Sequence, residues 1–155
     1  MLFAWDHRER LRDLQERLRR AGAITPELID DVVARTCRRL HAYPPSAKAR
    51  ITRLAQSGAF ADATLALLEL ELPSWKLRRL LYEDGGWHCA LSQRPELPIG
   101  LDQTVEASHE ILPLAILSAF IEARLETSAA LDERPQTVPR ARPTSGEPVC
   151  CENFS

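Results

Sequence analysis

The chain has 155 residues, of which 45% are hydrophobic, with 20 basic and 22 acidic residues. This composition suffices for the core of one domain, and it excludes a chain that is disordered throughout. The formal net charge of −2 excludes a strong general attraction to nucleic acid or to an anionic membrane surface.

The charge is unevenly distributed along the chain. Residues 1–53 contain 12 basic and 7 acidic residues, whereas residues 54–131 contain 5 and 11. We interpret this as two faces of one domain, the basic one being a candidate partner surface. Among the 20 basic residues, just Lys48 and Lys76 are lysines, a bias typical of GC-rich bacterial genomes.

No signal peptide is recognisable, and the longest apolar run, 111–121, is shorter than the roughly 18 residues of a membrane span. We therefore expect a soluble, cytoplasmic protein without a membrane partner.

The first predicted helix runs from about Trp5 to Ala21. Leu11, Leu14 and Leu18 recur in it at spacings of three and four, which gives one apolar stripe at helical period. The opposite face is rich in arginine interspersed with acidic residues, a pattern typical of a solvated helix face.

Three further helices are predicted before residue 71. Thr25 and Pro26 are a good N-cap and first residue for the second helix. Ser46 is expected to cap the third, which ends at about residue 56. The fourth, about 59–70, is apolar nearly all round and should therefore be central.

A β-hairpin is predicted next, with strands at about 75–82 and 87–92 around the turn signal Asp84-Gly85-Gly86. A two-residue loop would group Leu80, Tyr82, Trp87, Cys89 and Leu91 with Lys76 and Arg78. A three-residue loop divides the apolar and polar residues more cleanly, so we favour it. Its inner face would carry Trp75, Leu77, Leu81, Trp87, Cys89 and Leu91. Its outer face would carry Lys76, Arg78, Leu80, Tyr82, His88, Ala90 and Ser92.

The C-terminal part is predicted to be helical again. Asp102 is expected to cap a short helix through about His109, and Pro113 to begin a last helix that ends near Leu125. Alternatively, 103–126 is one helix kinked at Pro113. The predicted fold class is α+β, mostly α, with five to six helices packed around one hairpin. Residues 1–131 would form a single domain, and the proline-rich residues 132–155 a disordered tail.

Cysteine and histidine provide the candidate chemistry. The cysteines are Cys37, Cys89, Cys150 and Cys151, all expected to be reduced. Cys37 and His41 have i,i+4 spacing and would form a metal site with Cys89 and one further ligand. A cysteine nucleophile would instead need His88 or His109 as its base. No CxxC or HxxxH pair supports the metal site, and nothing in the sequence fixes the distances that a nucleophile and its base need. We therefore predict no metal site, no cofactor and no catalytic residue, and the roles of these cysteines and histidines stay open.

The sequence thus favours a small, non-catalytic protein that acts through protein–protein contacts, with a protein partner or its own copy. We predict the contact surfaces to be the arginine-rich first helix and the outer hairpin face, whose candidate residues are Lys76, Arg78, Tyr82 and His88.

Two alternatives remain at this stage. A DNA-binding regulator would contact phosphates with the basic residues around the turn between the second and third helices, namely Arg35, Arg38, Arg39, Lys48, Arg50 and Arg53. A cysteine- and histidine-dependent enzyme or metal-binding protein is the second alternative.

Overall fold

We describe the fold from a computed structural model, which defines residues 2–37, 39 and 42–133, without the side chains of residues 2–5 and 132. Within these ranges the chain has five α-helices and a three-stranded antiparallel sheet, so the fold is α+β and mostly α, as predicted. The predicted tail lies outside the described residues from residue 134 onward, as do Arg38, His41, Cys150 and Cys151.

The helices are α1 (Leu2–Arg20), α2 (Pro26–Thr36), α3 (Pro45–Gln56), α4 (Phe60–Glu71) and α5 (Leu112–Asp132). The strands are β1 (Lys76–Glu83), β2 (Gly86–Ser92) and β3 (Thr104–His109), and they lie in the spatial order β1-β2-β3. A short 3-10 turn, Ile99–Leu101, interrupts the loop between β2 and β3.

The predicted start of α2 is confirmed, whereas that of α3 is wrong. The Thr25 hydroxyl accepts a hydrogen bond from the Leu28 amide at 3.2 Å. Ser46 does not cap α3, which begins at Pro45 and has no side-chain cap. Proline suits this position because its φ is already helical and it has no N–H to satisfy.

Helix α5 forms the centre of the core. Each of its side chains from Leu114 to Ile121 is buried. The predicted stripe of α1 packs in the same core, with Leu11, Leu14 and Leu18 at most 1% exposed. Complete burial of one leucine contributes about 1.5–3 kcal/mol, so this contact between α1 and α5 stabilises the fold substantially.

Residues 104–109 form a strand, so the predicted short helix after Asp102 and the alternative kinked helix 103–126 are both wrong. Strand β3 pairs with β2, with Ala107 opposite Cys89 and Val105 opposite Leu91. These side chains face α5, while Glu106 points to solvent. Two strands alone would be marginally stable, and β3 supplies the third strand that a small sheet needs.

The hairpin turn contains two residues, so the favoured three-residue loop is wrong. Glu83 pairs with Gly86, and Asp84 and Gly85 have φ values of 51° and 81°. Positive φ at both central residues is typical of a type I′ turn, whose twist matches that of the flanking strands.

The two-residue turn changes the faces of β1. Leu80 and Tyr82 lie opposite Cys89 and Trp87 on the face toward α5, which we call the inner face. A bulge between Leu77 and Arg79 then shifts the register, so that Leu77 also reaches the inner face, opposite Leu91. The outer face carries Lys76, Arg79, Leu81, Glu83, His88, Ala90 and Ser92.

Candidate protein-contact site

The structure does not bring the four predicted contact residues onto one face of the hairpin. Lys76 and His88 lie on the outer face, but Tyr82 lies on the inner face near the turn. Arg78 is the extra residue of the bulge. The predicted grouping was wrong because it assumed a regular strand and a longer loop. Each of these two errors assigns the side chains beyond it to the opposite face of the sheet.

Arg78 attaches the loop 93–103 to β1. Its Nη1 donates to the Asp102 carboxylate at 2.6 Å and its Nη2 to the Leu97 carbonyl at 3.3 Å. The Asp102 side chain has no exposed surface, and it also accepts hydrogen bonds from the Ser92 hydroxyl and, at 2.9 Å, from the Arg94 amide. Arg78 therefore has a structural partner within its own chain.

The ionisation of Asp102 reflects these contacts. Burial acts to raise the pKa of its carboxyl, but the hydrogen bonds from Ser92, the Arg94 amide and Arg78 outweigh burial and hold the pKa below its usual value. Asp102 thus remains a carboxylate at neutral pH and keeps the loop in place.

Strand β1 ends the sheet, and no described strand pairs with its outer side. Leu77 and Tyr82 on this strand are 39% and 57% exposed, and they are the exposed large hydrophobic residues of the described sheet. The Tyr82 ring also packs against Trp87, with ring centroids 5.2 Å apart. We call Lys76, Leu77, Arg79, Tyr82 and Glu83 the β1 edge. Sequence reasoning missed three of these residues: Leu77, which it assigned to the core, and also Arg79 and Glu83.

The outer face of the sheet holds a small groove of about 150 Å³. His88 lines it together with Arg79, Glu106 and Ser108. The closest charged pair there, Arg79 and Glu106, is 4.0 Å apart and largely exposed, so it contributes little stability. The groove is too small for an ordinary small-molecule site of about 300 Å³ or more.

A larger cleft of about 470 Å³ lies beside the end of α4 and the second half of α5. It contains Glu71 and Arg124, whose charged groups are 3.7 Å apart and whose side chains are 0% and 14% exposed. Arg124 also donates to the Thr36 carbonyl at the end of α2. The pair connects three helices, and its charges compensate each other.

The two described cysteines are free and buried. Burial raises the pKa of Cys37 to about 12, although a contact with the Thr36 hydroxyl acts in the opposite direction. Burial raises the pKa of Cys89 to about 11. Both are therefore protonated at neutral pH and poor nucleophiles or metal ligands. In the described part of the chain, no three His, Cys, Asp or Glu side chains lie together as a metal site.

His109 has a structural contact at the junction of β3 and α5. Its Nδ1 accepts a hydrogen bond from the Ile111 amide at 3.0 Å. This contact supplies a partner for a backbone donor just before α5 begins at Leu112.

The residues of the DNA-binding alternative are spread over several elements. Arg35 on α2 is paired with Asp31 at 2.7 Å and lies 3.7 Å from Asp13. Three residues of this set lie on α3 and are exposed; they are Lys48, Arg50 and Arg53. Arg39 is exposed at the rim of the larger cleft, and Arg38 lies outside the described residues. DNA binding stays a prediction.

The arginine-rich face of α1 is partly neutralised within the chain. Arg10 pairs with Asp6, and both Arg19 and Arg20 pair with Glu16. These contacts are exposed, so they are weak individually, and they lower the net positive charge that α1 presents to a partner.

Comparisons with protein-family models, with curated proteins and with solved structures found no match to this chain. None of the described helices combines the length and the apolar character that crossing a membrane requires.

Proposed function

We propose that the protein is a small, non-catalytic binding module that contacts a protein partner through the β1 edge. The observation that carries the proposal is an eight-residue strand at the end of the sheet that exposes Leu77 and Tyr82 on one face. Exposed apolar side chains along a strand with one unpaired edge are a feature that soluble monomers normally avoid.

The backbone of β1 supports the same proposal. In an antiparallel ladder, every second residue turns its N–H and C=O away from the neighbouring strand. On the outer side of β1 no described strand accepts these groups. A partner strand added there would gain main-chain hydrogen bonds, while side-chain contacts such as those of Leu77 and Tyr82 would give specificity.

The charges of the edge restrict which strand can bind. Lys76 begins β1 and Glu83 ends it, so the two ends carry opposite charge. A bulge and charged residues discourage unspecific pairing of edge strands. We therefore infer a specific partner whose pairing strand carries charges in the complementary order.

The chemistry of the thiols supports a non-catalytic role in the cytoplasm. Cys37 and Cys89 are free rather than joined in a disulfide, which is the usual state in a reducing compartment. Their raised pKa values, about 12 and about 11, leave almost no thiolate at neutral pH for nucleophilic attack.

The proposal is tested by capture with the tagged full-length chain from its source cells. The variants Leu77→Lys and Tyr82→Lys change the β1 edge, and Tyr43→Lys is the control because Tyr43 is 37% exposed outside the sheet. We expect proteins captured by the wild type and by Tyr43→Lys to be lost with both edge variants. All three variants should melt within about 4 °C of the wild type. Capture that does not depend on the β1 edge would contradict the proposal.

A further inference from the structure

We propose that the strand that covers the β1 edge is β1 of a second copy of this chain, paired antiparallel about a two-fold axis. This rests on the proposed function, because it names the partner of the same edge. The evidence is the order of the side chains along β1, which is complementary to itself.

The bulge determines the register of such a pair. Arg78 is the extra residue, so seven residues of β1 occupy regular positions opposite β2, from Lys76 and Leu77 through Arg79 to Glu83. The middle one of the seven is Leu80. A two-fold axis beside Leu80 therefore brings Leu80 of both copies together and gives an isologous contact, in which every other pair occurs twice.

This register brings opposite charges together at both ends. Lys76 of one copy lies opposite Glu83 of the second copy, and the symmetric pair occurs at the other end of the strand. Both side chains are exposed and share the outer face. Opposite charges that face each other across an antiparallel pair stabilise it, and like charges destabilise it.

The same register pairs the exposed hydrophobic residues. Leu77 of one copy lies opposite Tyr82 of the second copy, again twice. Leu77, Leu80 and Tyr82 share the inner face because of the bulge, so the inner faces of the two sheets join. Burial of the exposed parts of Leu77 and Tyr82 removes apolar surface from water, which favours association.

The second edge of the sheet is a poorer candidate for pairing with a second copy of the chain. Strand β3 is the other end strand. Within the described residues, no large hydrophobic side chain of β3 is strongly exposed, and Val105 is 8% exposed. Pairing through β3 would therefore gain less apolar burial than pairing through β1.

Charge reversal tests the register directly by sedimentation velocity of the full chain over a range of concentrations. Lys76→Glu makes two glutamates face each other at both ends of the strand pair, and Glu83→Lys makes two lysines face each other there. We expect the wild type to dimerise and each variant to dimerise about 10-fold or more weakly. The control substitutions Lys48→Glu and Glu96→Lys make the same charge changes at exposed positions outside the sheet and should leave dimerisation unchanged.

Mixing gives the decisive outcome. In an equimolar mixture of Lys76→Glu and Glu83→Lys, a mixed dimer contains one copy of each variant. At one end of its strand pair the two unchanged side chains, Lys76 and Glu83, face each other. At the other end the two substituted side chains face each other. Both pairs are again of opposite charge, so the affinity should return to within about 3-fold of the wild type. The double variant Lys76→Glu/Glu83→Lys should recover in the same way. A wild-type dimer that is insensitive to both reversals, or variants that mixing does not rescue, would overturn the proposed register.

A wild type that stays monomeric at about 200 µM would overturn self-pairing altogether. In that case capture experiments separate the two proposals. If Leu77→Lys and Tyr82→Lys abolish capture of a different protein, the proposed function stands and self-pairing is wrong. If neither variant changes capture and the chain is monomeric, both proposals are wrong.

Discussion

Arg78 lies 2.6 Å from the buried carboxylate of Asp102, and this contact joins the bulge of β1 to the end of the loop before β3. The two residues are 24 positions apart in the sequence. The contact explains why the loop 93–103 lies against the sheet, and it removes Arg78 from the residues available for a partner.

We predict that Arg78→Ala lowers the melting temperature of the isolated protein. The substitution leaves the carboxylate of Asp102 buried without its cationic partner, a change that is strongly destabilising in proteins. Arg79→Ala is the matched control, because Arg79 is 60% exposed and its contact with Glu106 is 4.0 Å long. The control should change stability by at most about 0.5 kcal/mol. Thermal unfolding followed by circular dichroism measures both, and equal melting temperatures would contradict the structural role of Arg78.

Asp102 should also make the stability of the fold depend on pH in the acid range. Since its pKa is lower in the folded chain than in the unfolded chain, its stabilising effect is present above the unfolded value of about 4. That effect is lost as the pH falls through the folded value. We therefore expect the stability difference between wild type and Asp102→Asn to be large at pH 7 and small at low pH, as measured by urea denaturation. A difference that is constant with pH would show that the charge of Asp102 does not matter.

Much of the helical part can be predicted from the sequence because its signals are local. The spacing of Leu11, Leu14 and Leu18 and the cap at Thr25 depend on neighbours within a few residues, and the structure confirms them. The signal for the turn at Asp84-Gly85 is equally local, and the positive φ values of both residues confirm the turn.

The sheet was harder to predict because its register depends on distant contacts. The alternation of Val105, Ala107 and His109 is a strand signal, but Asp102 also fits the N-cap of a helix, so local patterns favour two different structures here. Its carboxylate instead binds Arg78, a contact that no local pattern reveals. The bulge at Arg78 changes parity within β1, so the side-chain faces of the candidate site could not be derived from alternation alone.

Removal of one member of the Glu71–Arg124 pair should be strongly destabilising. Glu71→Gln or Arg124→Met each removes one of the two opposite charges of a buried ion pair, and breaking such a pair by removing one partner is typically strongly destabilising. The double variant Glu71→Gln/Arg124→Met should lose clearly less than the sum of the two single losses, because each single variant already removes the 3.7 Å contact between the two charges. Urea denaturation of all four proteins gives this double-mutant cycle. Strictly additive losses would show that the two side chains do not interact.

The described thiols should react slowly in the folded protein. With pKa values of about 12 and about 11, Cys37 and Cys89 have so little thiolate at pH 8 that alkylation should be more than about 100-fold slower than in the unfolded chain. Iodoacetamide labelling followed by peptide mass spectrometry reads out each cysteine separately. Rapid labelling of either residue without denaturant would contradict their burial and reopen the cysteine-enzyme alternative.

The same thiols should lower the free energy of unfolding at alkaline pH. Their pKa values in the folded chain lie above the unfolded value of about 8.5. Their contribution to stability is therefore fully present below pH 8.5 and is lost as the pH rises toward the folded pKa values. We expect the stability of the wild type to fall between about pH 8.5 and pH 11, and Cys37→Ala to reduce the slope. A slope that Cys37→Ala leaves unchanged would show that this thiol does not ionise on unfolding.

The most direct measurement of the central claim is hydrogen exchange of the β1 amides at two protein concentrations. If β1 pairs with a second copy, peptides that cover Lys76–Glu83 should exchange more slowly at about 200 µM than at about 1 µM. Peptides that cover Thr104–His109, at the other edge of the sheet, should exchange equally at both concentrations. Protection that appears at β3 or α1 instead, or β1 exchange that does not depend on concentration, would contradict the account.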